Sequence, residues 1–262
     1  MASLRPVTTS DALAVLETYY DAAPRPLATT EEIGPFTLFL RSDPNGWPYY
    51  ARPRLWGDAP ITPADVEAVR RRQRSAGAPE AFEWVHETTP TLTSAAEAAG
   101  LSVHRCPLLV LGEPLEVARS GDGWHVALLD SESEQIGAVQ AAVGAGFEGT
   151  DEVKTSSPGR PPELMRAGLL GLAGAFDEHG TAIGGGSHNP RGRVTELAGI
   201  AVLPRARGKG VGAAITAALV DDARARGVET VFLSAQDDAV ARVYERVGFV
   251  RVGTACIAEP PR

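Results

Sequence analysis

Arg207-Gly208-Lys209-Gly210-Val211-Gly212 is a basic, glycine-rich turn with the means to hold an anion. Leu197–Val202 before it is a short apolar run with β-branched residues, so it reads as a buried strand, which Pro204 ends. Behind it, Val211, Ile215, Leu219 and Ala223 recur at helical spacing, so the turn opens a helix. Glycines let the backbone take positive φ and approach a ligand closely. The first N–H groups of the helix lack intrahelical partners, and its dipole adds positive potential there. A pyrophosphate suits such a place, with Arg205, Arg207 and Lys209 around it. Neither common nucleotide motif fits. A P-loop needs Ser or Thr after Gly-Lys, where Gly210 stands, and a Rossmann turn has a different glycine order.

The order found here, Arg-x-x-Gly-x-Gly, resembles the coenzyme A loop of the GNAT N-acetyltransferase superfamily. Glu196 stands eleven residues before Arg207, where many of these enzymes carry a general base. Ala239–Phe249, AVARVYERVGF, resembles the closing signature of the superfamily, with Val243 in its Leu position. The pattern is broken at Asp237, where many relatives have Asn.

The resemblance implies acetyl-CoA as co-substrate and a primary amine as acceptor, joined by direct attack in a ternary complex. The strand before the loop would splay from its neighbour. The backbone of Ile200, Ala201 and Val202 would bond the pantetheine arm, and an N–H near Val202 would face the thioester oxygen. Arg207, Gly208, Lys209, Gly210, Val211, Gly212 and Ala213 would hold the pyrophosphate. Asp237 is a further candidate coenzyme contact, against which its charge counts. Tyr244 would protonate the leaving thiolate, since a phenol near pKa 10 stays protonated where a thiol near 8.5 ionises; its alternative is a tyrosine packed under the sheet. Glu196 would accept the amine proton through water, or directly if burial raises its pKa; its alternative is a strand-edge glutamate paired with an arginine such as Arg193. The competing function is a non-catalytic acyl-CoA-binding or regulatory module, which Tyr244 and the intact turn argue against.

These residues need a scaffold. The expected fold is α/β (α+β): two tandem GNAT-like domains, each a mixed, mostly antiparallel sheet flanked by helices. The second would run from a strand at Trp124–Leu129 through a helix over Glu134–Val143, a long polar loop over Gly144–Pro162 and a helix over Pro162–Gly171. Strands at Leu172–Phe176 and Thr181–Gly185 and an open turn over Gly186–Arg193 then lead into Val194. Glu148, Asp151 and Glu152 in the long loop would suit a cationic amine, while His179 and His188 are placed in solvated turns.

The first part reads as a helix at Asp11–Tyr20, then strands at Phe36–Arg41 and Tyr49–Leu55 joined through Asp43-Pro44-Asn45-Gly46. Thr62 caps a helix through Arg74; a strand at Phe82–His86, a helix at Thr91–Ala99 and a strand at Leu101–Leu111 follow. Set over the chain's end, Gly100-Leu101 falls on Gly248-Phe249 and Glu97 on Glu245, which points to an internal duplication. The first copy lacks the chemistry: Ala96 replaces Tyr244, and Leu55-Trp56-Gly57-Asp58-Ala59-Pro60 replaces the glycine turn. Its Asp repels phosphate and its Pro removes a donor. The expected division is a degenerate domain at 1–115, a linker at 116–123 within the turn-rich Gly112–Gly123, and a catalytic domain at 124–262.

Composition bounds the partners. The 262 residues are 44% apolar and carry a net charge of −8, which argues against a general nucleic-acid binder. No apolar run reaches membrane-span length, and no signal-peptide pattern opens the sequence. The expectation is a cytoplasmic protein, monomer or homodimer, acting on a small-molecule or peptide amine. The wealth of Ala, Gly and Arg points to a GC-rich bacterial genome. Cys106 and Cys256 are too few for a disulfide framework, and the five His do not cluster at metal-ligand spacing, so no metal is expected.

Overall fold

The computed structural model describes residues 9–44, 46–113, 117–154, 157 and 159–261. Residues 114–116, which hold the expected boundary at 115 and the first residue of the linker expected at 116–123, lie outside these. So do Asn45 of the hairpin turn and residues 155, 156 and 158 of the long loop. The chain forms two compact units. The first comprises Met1–Leu109, Ser234–Ala241 and Arg251–Arg262; the second comprises Val110–Leu233 and Arg242–Val250. Neither is one contiguous stretch.

The elements begin with α1 (Thr9–Ala22), β1 (Ala28–Ile33), β2 (Phe36–Arg41), β3 (Ala51–Pro53), α2 (Pro63–Ser75), β4 (Phe82–Val85), α3 (Thr91–Ala98) and β5 (Ser102–Leu111). Then follow β6 (Ser120–Gly121), β7 (Trp124–Leu129), α4 (Ile136–Glu148), α5 (Pro161–Arg166), β8 (Gly171–Asp177), β9 (Ala182–Arg191) and β10 (Val194–Val202). A 3-10 turn (Pro204–Ala206), α6 (Val211–Ala225), β11 (Thr230–Ser234), α7 (Asp238–Glu245) and β12 (Phe249–Glu259) complete the order. Among the described residues no helix is long and apolar enough to cross a membrane.

In the first unit the strand order is β1-β2-β3-β4-β12-β5. β1–β2, β2–β3 and β4–β12 pair antiparallel, and β3–β4 pair parallel at Ala51↔Phe82. The C-terminal part of β12 thus sits inside this sheet, with Cys256 opposite Trp84. Thr62 and Asp65 form a capping box that starts α2, with Pro63 in its first turn. One sheet face, carrying Phe36, Leu38, Phe82 and Trp84, buries against Val66, Val69 and Leu92. Each such side chain contributes about 1.5–3 kcal/mol of burial. The other face carries Arg52, buried, bonded to Glu17 of α1 at 3.1 Å and stacked 4.4 Å from the centre of the Tyr20 ring.

In the second unit the order is β11-β10-β9-β8-β7-β6, with β10–β11 parallel and the described pairings β7–β6, β8–β7, β9–β8 and β10–β9 antiparallel. α4 and α6 cover opposite faces: Val139 of α4 lies against Gly174 and Gly185, and Ile215 of α6 against Gly186.

In the first unit the sequence reading lacks β1 and draws β3 too long, over 49–55; in the second, three longer elements differ from it. The expected open turn over 186–193 belongs to the continuous strand β9. Gly184, Gly185 and Gly186 are there because neighbours leave no room for a side chain: a Cβ on Gly184 would lie 2.6 Å from Ala201 O, and one on Gly186 2.7 Å from Ile200 Cγ1. α4 runs on to Glu148 and stops at Gly149, left-handed at φ 71°, whose successor Thr150 bonds back to Ala145 O in a Schellman closure. The helix expected over 162–171 ends at Arg166, because Gly168 takes φ 71° and Gly171 already pairs with His188 as the first residue of β8. The same order, strand–helix–strand–helix–strand, occurs from β3 to β5 and from β10 to β12, and each run opens on a parallel pair, Ala51↔Phe82 and Thr195↔Val231.

Candidate active site

The site is built on the end of β10. β10 pairs with β9 on both sides of a bulge between Ala198 and Ala201, where Gly199 takes φ 63°. The extra residue flips the alternation. Thr195 and Leu197 face α6 before the bulge, and Ile200 lies against Gly186 on that same side after it. On the other edge the described parallel pairing with β11 covers Val194–Glu196. From Leu197 onward that edge carries no described ladder, so β10 and β11 part where the strand approaches the turn.

Leu203 N–H bonds Ile183 O at 2.9 Å, and the Pro204–Ala206 turn follows. Gly208 and Gly210 then take φ 74° and 84°, the left-handed region where glycine alone is unstrained. Gly210 is the N-cap of α6, and the first intrahelical bond runs from Ala214 N–H to Gly210 O at 3.0 Å. The N–H groups of Val211, Gly212 and Ala213 precede it and point out of the helix start. Trp124, at the head of β7, closes one side of the turn, 4.0 Å from the place of a Cβ on Gly210.

The cations divide by role. Arg207 turns its guanidinium onto the backbone, donating from Nε to Val202 O at 3.0 Å and from Nη2 to Gly146 O at 2.6 Å. It ties the end of α4 to the end of β10, an approach close enough that a Cβ on Gly146 would lie 3.1 Å from that of Ala201. Arg205 pairs with Asp151 at 3.4 Å. Lys209 is exposed, and no ion pair among the described residues engages it. The acidic loop residues are also partly spoken for: Asp151 by Arg205, and Glu148 by Lys154 at 4.0 Å.

Glu196 is half-buried on an interior strand, opposite Asn189 of β9 and Phe232 of β11. It is not at a sheet edge, and Arg193 is engaged with Glu229. It projects from the face opposite α6, because its neighbour Thr195 faces that helix. Tyr244 lies on the last turn of α7 in the second unit, its ring edge-on to Phe249 with centroids 5.9 Å apart. Burial pushes its hydroxyl up to about 12. Asp237 lies in the first unit and accepts Val240 N–H at 2.9 Å, the N-capping bond of α7. Direct contacts thus join the end of β10, the turn, α4 and Trp124, while Glu196 and Tyr244 enter the same unit on β10 and α7.

Sequence reasoning missed His188. It is fully buried in β9, not in a solvated turn; Nδ1 meets Thr195 Oγ1 at 3.1 Å and Nε2 meets Asp222 Oδ2 of α6 at 2.7 Å. Asp222 also holds Arg226 at 2.8 Å. His179, by contrast, is exposed in its turn. No local signal in the sequence marks this: the pairing that sets Gly171 beneath the His188 imidazole exists only in the folded sheet. Among the described residues no group of three or more His, Cys, Asp or Glu could hold a metal ion.

Residues 150–249 match the model of the Acetyltransferase (GNAT) family. No curated protein sequence matches the chain. Among solved structures, a GCN5-related N-acetyltransferase from Kribbella flavida superposes with a TM-score of 0.76 at 23% identity, over 95% of this chain and 96% of that one. A GCN5-related N-acetyltransferase from Sphaerobacter thermophilus gives 0.57 at 15% identity, over 97% and 93%. A tandem GNAT protein from the clavulanic acid biosynthesis pathway gives 0.56 at 17% identity, over 87% and 79%. The chain has the GNAT fold, in an arrangement consistent with a tandem, and the stretch that matches the GNAT acetyltransferase model is residues 150–249.

Proposed function

We propose that the chain transfers an acetyl group from acetyl-CoA to a primary amine of a small molecule or peptide, by direct attack in a ternary complex. The observation that carries this reading is the turn at Gly208–Gly210. Two left-handed glycines bare the N-terminus of α6 beside the parted end of β10, with Lys209 free to turn toward an anion. The N–H groups from Gly208 to Ala213 would hold the pyrophosphate. The backbone of Ile200, Ala201 and Val202 would pair with the pantetheine arm in place of the missing β11 ladder, which sets the thioester near the bulge. Arg207 then acts as a positioning residue that fixes Val202 and Gly146, and Lys209 supplies the mobile charge. Asp237 serves by capping the helix that carries Tyr244.

The attacking amine must be neutral and must lose a proton; Glu196, projecting from β10 opposite α6, would accept it directly or through water. The thiolate that leaves would be met by the Tyr244 hydroxyl. Thiol release from acetyl-CoA, measured across a panel of small and peptide amines, tests the reaction. Glu196→Gln is expected to lower turnover at least tenfold with coenzyme affinity unchanged. Coenzyme binding without thiol release for any amine class would make the chain an acyl-CoA-binding module instead.

A further inference from the structure

The first unit contains a cleft of about 470 Å³ that the proposed reaction does not use. It lies where β3 leads into α2, which by element order is the counterpart of the turn between β10 and α6. Its walls include Pro35, Pro53, Trp56, Asp58, Pro60 and Asp65.

The cleft is unsuited to an anion. Thr62 N–H donates to Asp65 Oδ2 at 2.9 Å, and Asp65 N–H donates to Thr62 Oγ1 at 3.4 Å. Pro63 has no N–H to offer. The helix start is therefore satisfied from within, and the Asp65 carboxylate offsets its dipole. Arg54, also in the wall, is paired with Glu32 at 3.1 Å. No ion pair among the described residues engages Asp58, so the balance of charge in the cleft is negative.

Trp56 supplies the second half of the case. It is 71% exposed, and it is the one described non-glycine residue with positive φ, 62°. Gly57 N–H bonds Arg54 O at 3.0 Å, which closes a turn with Trp56 at its third position, where glycine is favoured. The fold would hold a glycine there with less strain, and an exposed indole adds nothing to the core. What it does offer is a broad π face in a proline-walled cleft that Asp58 also lines, a carboxylate no ion pair among the described residues engages. That combination recognises cations.

We propose that this cleft binds an organic cation, an ammonium or guanidinium group, with its charge over the Trp56 indole and against Asp58. The site is separate from the acyl-transfer reading and is tested without turnover. The full chain is titrated with n-butylguanidinium and tetramethylammonium, with butyrate and inorganic phosphate as anionic controls, while the Trp56 indole N–H resonance is followed. The cations are expected to shift it saturably and the anions to leave it in place. Trp56→Gly removes the face and relieves the backbone, so affinity is expected to fall at least fivefold while the melting temperature holds or rises. Asp58→Asn is expected to weaken binding about threefold at low salt and less at high salt. Both variants, and Gly212→Asp in the other unit, leave the distinction clean: the first two are expected to keep acetyl-CoA affinity, the third to keep cation affinity. Anions that bind as well as cations, a Trp56→Gly variant that binds cations like the parent, or one that melts early because the indole packs the fold, would each overturn the proposal.

Discussion

Tyr244→Phe removes one hydroxyl and keeps a ring that packs edge-on to Phe249. Packing is retained, so stability is expected to change by less than about 1 kcal/mol, a shift in melting temperature of roughly 2–4 °C at most. The catalytic effect follows from the acidity of the hydroxyl. Burial pushes it up to about 12, so the proton stays in place across the neutral range. A thiol has a reference pKa of about 8.5, so complete transfer from this more weakly acidic phenol to a thiolate would be uphill, by about 5 kcal/mol. The hydroxyl therefore helps first as a hydrogen-bond donor to the growing thiolate charge. Such a bond to a charged group is worth about 1.5–3 kcal/mol, which corresponds to a fall in turnover of about 10- to 150-fold. Thiol release at saturating acetyl-CoA, with coenzyme affinity measured separately, reads this directly. Affinity is expected to change little, and the deficit to shrink with an acyl donor whose thiol is more acidic. Parent-like turnover in the Phe variant would refute the role, leaving Tyr244 as a packing residue.

Two further outcomes follow from single sites. Gly212 has ordinary φ and open space around it, the nearest atom to an added Cβ being Val202 Cγ2 at 3.9 Å. Gly212→Asp is therefore expected to fold, and its charge near the helix start to stabilise α6 slightly, while acetyl-CoA affinity measured by calorimetry falls at least tenfold, about 1.4 kcal/mol. Glu83 gives a pH signature. Burial, only partly offset by Arg52 and a hydrogen bond with Tyr50, pushes its carboxyl up to about 7 from 4.5. The folded state then holds a proton that the unfolded chain has released, so stability falls as pH rises from about 4.5 to 7, by at most roughly 3 kcal/mol. Denaturant melts across that range are expected to show the slope, and Glu83→Gln to flatten it.

The glycine turn was legible because its composition and the helical spacing after it are local signals. The β2–β3 hairpin, the capped start of α2 and the repeated strand–helix order were legible for the same reason. Elements set by distant contacts were not. Gly186–Arg193, with its glycine and Pro190, reads as an open turn, yet it continues β9, and at Gly186 the close approach of Ile200 and Ile215 makes glycine obligatory in the middle of a strand. The pairing of Cys256 with Trp84, which puts the end of β12 in the first unit, depends on residues far apart in sequence and leaves no local mark. Side-chain roles were the least legible. Arg207 fits a phosphate-binding pattern, but its guanidinium reaches Val202 O and Gly146 O. Asp237 in place of Asn keeps the capping bond to Val240 N–H, which either residue can make. His188 joined Thr195 and Asp222 only once β9 and α6 were placed together.

The most direct test of the coenzyme site is a calorimetric titration of the full chain with acetyl-CoA. The exposed helix start at Gly210 occurs in the second unit, while the first closes its counterpart with Thr62, Asp65 and proline. One acetyl-CoA per chain, lost or weakened in Gly212→Asp, is the expected result. No binding, two equivalent sites, or a single site untouched by that substitution would contradict it.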